Sequence, residues 1–219
     1  TKKIRFESKD GYVRLYADFP VIVDKHLPKI RKAINYDLGQ TSEVDRLIAE
    51  AKAEILSHES VTKPSTLDLG DTENFPWSYS FDYSVGINNK FITSIGLNFR
   101  CQVGGAVTGY SYFRGCTYDN RTGTSLSLDD LLLDDYDSKL IELFVEYLQP
   151  ISDDLFDNWK TSIKETNYSF YIDSDAFVFV FPKYSIGPGY MATINIKVPF
   201  AKFVDILNPK SPLAVCLKK

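Results

Sequence analysis

Six residues, Ala176 to Phe181, leave this chain little choice of fold. Phe177, Phe179 and Phe181 point to one side of an extended segment, and Ala176, Val178 and Val180 to the other. With both faces apolar, the segment reads as a central strand covered on both sides. Ile194, Ile196 and Val198 then alternate with Thr193, Asn195 and Lys197, which predicts a strand with one wet face. Pro199 ends that ladder. Phe200, Phe203, Val204 and Leu207 fall at helical spacing, so a short helix is expected to fold back on the sheet. Between the two strands lies Tyr184-Ser185-Ile186-Gly187-Pro188-Gly189-Tyr190, a loop with a tyrosine at each end.

The upstream pattern builds further strands and helices. Val13, Leu15, Ala17 and Phe19 alternate as a first strand, ended by Pro20. Leu27, Ile30, Ile34 and Leu38 trace one helical face; after Gly39, Ser42 is a candidate N-cap for a second stripe of Val44, Leu47, Ile48, Ala51 and Ile55. Val61 to Asn74 is polar and turn-rich. Trp77 to Tyr118 then reads as a three-stranded antiparallel meander, turning at Asn88-Asn89 and again near Gly104-Gly105-Ala106. Gly123 is placed to close the next turn in a left-handed conformation.

Tyr136, Leu140, Leu143, Phe144 and Tyr147 mark the buried side of a helix that Pro150 ends. Leu155, Phe156, Trp159 and Ile163 predict another, capped by Ser152 with Asp153 and Asp154 in its first turn. Leu213, Val215 and Leu217 suggest a final edge strand. Runs of antiparallel strands and helices, without alternating βαβ units, indicate an α+β fold: antiparallel β-meander sheets with helices packed on one face. A division into residues 1–70 and 71–219 is expected, or a single continuous structure.

Charge and cysteine narrow the function classes. The net charge of −4 and the scattered Lys and Arg supply no basic field for nucleic acid. Cys101, Cys116 and Cys216 show no Cys-x-x-Cys spacing, so a zinc or redox motif is not indicated. If the turn centres near Ala106, Cys101 faces Ser111 across the hairpin and not Cys116. No run approaches the ~18 apolar residues of a membrane span. The chain starts at Thr1-Lys2-Lys3 without an initiator Met, which fits a removed leader or anchor as the one membrane connection.

Catalytic patterns are sparse. The two histidines, His26 and His58, sit where a helix is expected to start and to end, and suit capping. The acidic groups Asp129, Asp130, Asp134, Asp135 and Asp137, and Asp153, Asp154 and Asp157, have two readings. They cap helix starts, or they supply the paired carboxylates, roughly 5–10 Å apart, of a glycan-acting enzyme. No calcium loop, phosphate-binding glycine loop or His-Glu-x-x-His motif is present, and no cofactor or metal is expected. The glycines at 104, 105, 187 and 189 are expected to serve positive φ in tight connections.

The Tyr184–Tyr190 loop is the best binding candidate, because tyrosine gives a large contact area and a hydrogen-bonding tip at low entropy cost. In the purely structural alternative Tyr184 packs over the sheet edge and Pro188 shapes a turn.

An apolar strand, Tyr-x-Ile-x-Pro, and a strand ending in Val198-Pro199 together resemble the C-terminal domain of a bacterial extracytoplasmic family. That family of unknown function includes the ectodomains of lysozyme-responsive (RsiV-type) anti-sigma factors and accessory modules of some peptidoglycan deacetylases. Gly104-Gly105-Ala106, Tyr118-Asp119-x-x-Thr122-Gly123 and Leu126-Ser127-Leu128-Asp129-Asp130-Leu131 look like a second run of the same family. Phe19-Pro20 and Ile34-Asn35 are similar to its N-terminal partner domain. Two departures stand out: Val107 replaces a frequent His, and Gly189 follows Pro188 directly.

The resemblance implies a non-catalytic binding or sensor module of a cell-envelope protein, lipoprotein-like in its setting. It implies a lysozyme-like protein or a cell-wall glycan as partner. Pro188, Tyr190, Gly187 and Gly189 in one loop, with Gly104 and Gly105 in the other, are its expected binding residues. A carboxylate-based glycan enzyme and a polysaccharide-binding module are the alternatives. The second would need exposed rings along a groove, and burial of Trp77 and Trp159 would count against it.

Overall fold

A computed structural model describes residues 1–7, 13–23, 28–39, 49–53, 77–102 and 109–217. Ser42, Val44, Leu47, Ile48, Ile55, the Val61–Asn74 stretch, His26, His58, Gly104, Gly105 and Val107 lie outside them.

Strands β1 (Lys2–Glu7), β2 (Val13–Phe19), β3 (Trp77–Asn88), β4 (Ile92–Gln102) and β5 (Tyr110–Asp119) form one sheet in that order. The meander β3–β4–β5 is antiparallel, as its alternation and the Asn89 turn predict. At that turn the side-chain oxygen of Asn89 accepts from the N–H of Phe91 at 2.8 Å and of Ile92 at 3.0 Å. Two features depart from the expected antiparallel meander. β1 precedes the expected first strand, and β2 pairs with β3 in parallel, so the sheet is mixed.

The hairpin register also differs from expectation. Cys101 pairs with Tyr110 and Arg100 with Ser111, a register one residue away from the expected one. Cys116 pairs with Ile95, and none of the three cysteines is in a disulfide.

Helix α1 (Pro28–Gly39) lies on one face of this sheet. Its Ile34 and Leu38 join Leu15, Ala17, Phe81, Leu97 and Phe99 in a buried cluster, with Ala51 from a helical turn over 49–53. Asn35 fixes its approach by accepting from the N–H of Ile22 at 2.7 Å and donating to its carbonyl at 2.9 Å.

The second sheet comprises β6 (Ser169–Ile172), β7 (Ala176–Phe181) and β8 (Ile194–Pro199), all antiparallel. Every residue of β7 is buried, as its two apolar faces require, and β8 alternates buried with exposed. Phe177, Phe179 and Phe181 face helices α2 (Leu128–Leu131), α3 (Tyr136–Leu148) and α4 (Trp159–Glu165) within one cluster. Phe144 of α3 meets Phe179 and Phe181 edge-on, at centroid distances of 4.9 and 5.1 Å. Burying each such ring is worth about 1.5–3 kcal/mol, with about 0.5–1.5 kcal/mol more for the aromatic pairing.

The small sheet stands by its β6 edge on the free face of the large one. A Cβ on Gly115 would overlap the Phe170 carbonyl oxygen, and one on Gly86 that of Ile172. A Cβ on Gly96, which pairs with Gly115, would lie 2.7 Å from the Phe113 ring. The N–H of Ile172 donates to Ser94 Oγ at 2.7 Å, and that of Gly115 to Ser169 Oγ at 2.7 Å. A sheet edge otherwise open to other chains is thus covered.

Three further expectations are corrected. α4 starts at Trp159 after Asn158, because residues Gln149–Asp154 form a separate 3₁₀ segment; Asp153 and Asp154 do not cap it. The C-terminal segment is helix α5 (Pro212–Leu217) and not an edge strand. Ser211 Oγ accepts from the Ala214 N–H at 3.1 Å and Pro212 opens the first turn, a start signal that overrides the alternation of Leu213, Val215 and Leu217. After β8 only a 3₁₀ turn, Phe200–Phe203, forms, and Val204 is 71% exposed.

Candidate functional site

The Tyr184–Tyr190 loop leaves β7 through a turn closed on the Pro182 carbonyl, which accepts from the Ser185 N–H at 3.1 Å and Oγ at 2.6 Å. Ile186 plunges into the core and is fully buried, and its carbonyl accepts from the Phe156 N–H at 3.1 Å. Gly187 is buried beside Ile194, Met191 and Leu155. Pro188 is half-buried and leads into a single 3₁₀ turn, Gly189–Met191, that carries Tyr190 outward. Tyr190 is 69% exposed and Tyr184 59%.

The glycines here do not supply positive φ, contrary to expectation. Tyr184 (φ 67°) and Ala192 (φ 56°) carry it instead. A Cβ on Gly189 would meet the outer end of the exposed Tyr184 ring, which would have to swing aside, and one on Gly187 would come 2.9 Å from Ile194. Among the described glycines Gly123 is the one with positive φ, at 78°, in the turn where it is expected.

Beside the loop runs a groove of about 730 Å³ between the start of β5 and the end of β7, with Tyr110, Tyr112, Tyr168, Lys183 and Tyr184 in its walls. The Lys183 ammonium crosses it to donate to the Gly109 carbonyl, and lies 5.1 Å from the Tyr184 ring centroid. Burial, with Asp137 and Asp129 nearby, pushes the Tyr168 hydroxyl up to about 12. Sequence reasoning missed this groove, since its walls come from segments some 70 residues apart. A second concavity of about 480 Å³ lies between α1 and the β3–β4 turn, lined by Ile22, Ile30, Asn88 and Lys90 among others.

Among the described residues neither concavity carries a carboxylate. Asp130 instead accepts from the Ser127 N–H and Oγ, both at 2.8 Å, and Asp129 from the Tyr136 hydroxyl at 2.7 Å. The Asp119-x-x-Thr122-Gly123 run is a turn. Gly123 N–H bonds the Asp119 carbonyl at 2.7 Å, while the Asp119 carboxylate takes the Arg121 N–H at 2.8 Å and its guanidinium at 2.7–3.2 Å. Those bonds hold the Asp119 carboxyl below its usual range. No group of three or more His, Cys, Asp or Glu among the described residues could hold a metal ion. Trp159 is buried, at 5% exposure. No helix among the described residues is long and apolar enough to cross a membrane.

The fold thus defines an α+β protein with a tyrosine-tipped loop beside a groove. Residues 129–201, which contain the loop, match the family model described as "Protein of unknown function (DUF3298)". The chain is similar in structure to a DUF3298 family member from Bacteroides fragilis. The TM-score is 0.67 at 18% identity, with 97% of this chain and 94% of that one covered, a likeness of fold. A DUF3298 family protein from Pseudomonas aeruginosa aligns over 61% of this chain and 63% of its own, at 19% identity and a TM-score of 0.48. No curated protein matches the chain.

Proposed function

We propose that this chain is a non-catalytic, extracytoplasmic binding or sensor module of a bacterial cell-envelope protein, meeting its partner through the Tyr184–Tyr190 loop. A lysozyme-like protein is the first candidate partner and a cell-wall component the second. The observation that carries the reading is the contrast within the loop. Ile186 is fully buried while Tyr190, four residues on, is 69% exposed. An aromatic side chain held out on an anchored backbone loses little entropy on binding. The resemblance to lysozyme-responsive ectodomains rests on this same stretch.

Calorimetry with hen lysozyme tests the reading. Micromolar or tighter binding, weakened by Tyr190→Ala and Pro188→Ala, supports it. A folded protein that binds no lysozyme removes that partner and turns the search to soluble peptidoglycan fragments.

A further inference from the structure

β5 ends the five-stranded sheet, so among the described residues no strand lies beside one side of its backbone. The bonds made on that side belong to odd-numbered residues. Asp119 N–H donates to the Thr124 carbonyl at 3.0 Å, and the Thr117 carbonyl accepts from Leu126 N–H at 2.7 Å. Gly115 N–H donates to Ser169 Oγ, and at the far end the Gly109 carbonyl takes the Lys183 ammonium. By the two-residue period of a strand, Ser111 and Phe113 present their N–H and C=O groups on this same side. Among the described residues no backbone group bonds them there. Ser111 Oγ is itself buried with no partner among the described residues.

These open groups look into the 730 Å³ groove. All five consecutive residues from Gly109 to Phe113 line it. Alternate side chains of a strand point to opposite faces, so a cavity touched by five in a row looks at the strand's edge. The facing wall holds Tyr168, Val180, Lys183 and Tyr184, with no carboxylate and one cation among the described residues. Such a wall suits a neutral or acidic occupant and disfavours a basic one.

We propose that the groove is a docking site for an extended polypeptide segment, neutral or acidic, which adds to β5 as a sixth strand and pairs with Ser111 and Phe113. A row of outward N–H and C=O groups at strand spacing matches a peptide backbone. The outward groups of Gly109 and Gly115 are already bonded, so the open edge runs from Ser111 to Phe113 and faces about three residues of such a segment. The proposal rests on the reading of this chain as a binding module and adds the chemistry of what the groove holds.

A phage-displayed library of random short peptides, panned on the purified chain, supplies the probe. Enriched peptides are expected to be neutral or acidic. In hydrogen exchange, the Ser111 and Phe113 amides exchange fast in the free protein and slowly with the peptide bound. Ser111→Pro removes an outward N–H at a sheet edge, where proline is tolerated, and weakens binding by about tenfold or more. Lys183→Glu weakens acidic peptides specifically, and serves if the proline variant does not fold. No enrichment, or peptides that leave the Ser111 and Phe113 amides unprotected, overturns the proposal. Triacetylchitotriose bound in the groove in place of peptides also overturns it and marks a glycan site. Loss of lysozyme binding on Tyr190→Ala with peptide binding intact separates the loop from the groove.

Discussion

Gly115 and Phe170 touch through their backbones: a methyl group on the glycine would occupy the position of the Phe170 carbonyl oxygen. Gly115→Ala therefore forces the two sheets apart. Overpacking of this kind costs about 1–3 kcal/mol, and more where backbone blocks relaxation. Urea unfolding should show a lowered midpoint with an unchanged slope. A midpoint within error of wild type would refute the packing.

Ser94 supplies the polar half of the same junction. Its buried hydroxyl accepts the Ile172 N–H and pairs with Thr117 Oγ1 at 2.8 Å. Ser94→Ala leaves both partners unsatisfied, at a cost of about 1–3 kcal/mol. Faster exchange of the Ile172 amide is the specific signature, and unaltered exchange there would exclude the bond.

Within the loop, anchoring and display should separate. Ile186→Ala opens a cavity in the core and costs about 2–5 kcal/mol. Tyr190→Ala, at a residue 69% exposed, should stay within about 0.5 kcal/mol of wild type. Thermal melts of the two variants decide this.

Asp119 makes stability depend on acid. Its carboxyl is lowered from 3.8 by Arg121, so its contribution is complete above that value and fades as pH falls through the folded-state value. Asp119→Asn should lower the urea midpoint at neutral pH, and the difference from wild type should shrink below about pH 4. A difference that is constant with pH would mean the charge is not what matters.

Cys116 should resist alkylation in the native state. It is buried, and burial raises its thiol above the ordinary range. Cys101 and Cys216 are partly exposed and should label first with iodoacetamide, with all three labelling in urea. Early labelling of Cys116 would contradict its place beneath α1.

The parts legible in the sequence were those set by local periodicity. The double-faced Ala176–Phe181 strand, the Asn88-Asn89 turn, the Ile34–Leu38 stripe and the positive φ of Gly123 each follow from neighbouring residues. β1 escaped because only Ile4 and Phe6 mark its apolar side amid charged residues, the composition of an edge strand. α5 is hidden because Leu213, Val215 and Leu217 alternate like a strand, while its start signal, Ser211-Pro212, lies just ahead of them.

Long-range features were illegible for a different reason. Gly86, Gly96 and Gly115 read as ordinary strand glycines until β6 is known to cross them. The groove likewise appears only when Gly109–Phe113 meets Lys183. Of the expected binding residues, Tyr190 is displayed, Pro188 and Gly189 lie half-buried behind it, and Gly187 faces the core.

The parallel pairing of β2 with β3 sets an order of assembly. Val13 aligns with Trp77, so this pairing closes a loop of about 60 residues, whereas β3, β4 and β5 are joined by their own turns. Synthesis runs from N- to C-terminus, so β1 and β2 precede β3, yet they have no neighbour to complete their sheet until β3 has emerged. Their hairpin alone is marginal in water. Strands made before β3 are thus among the last parts of this fold to become stable.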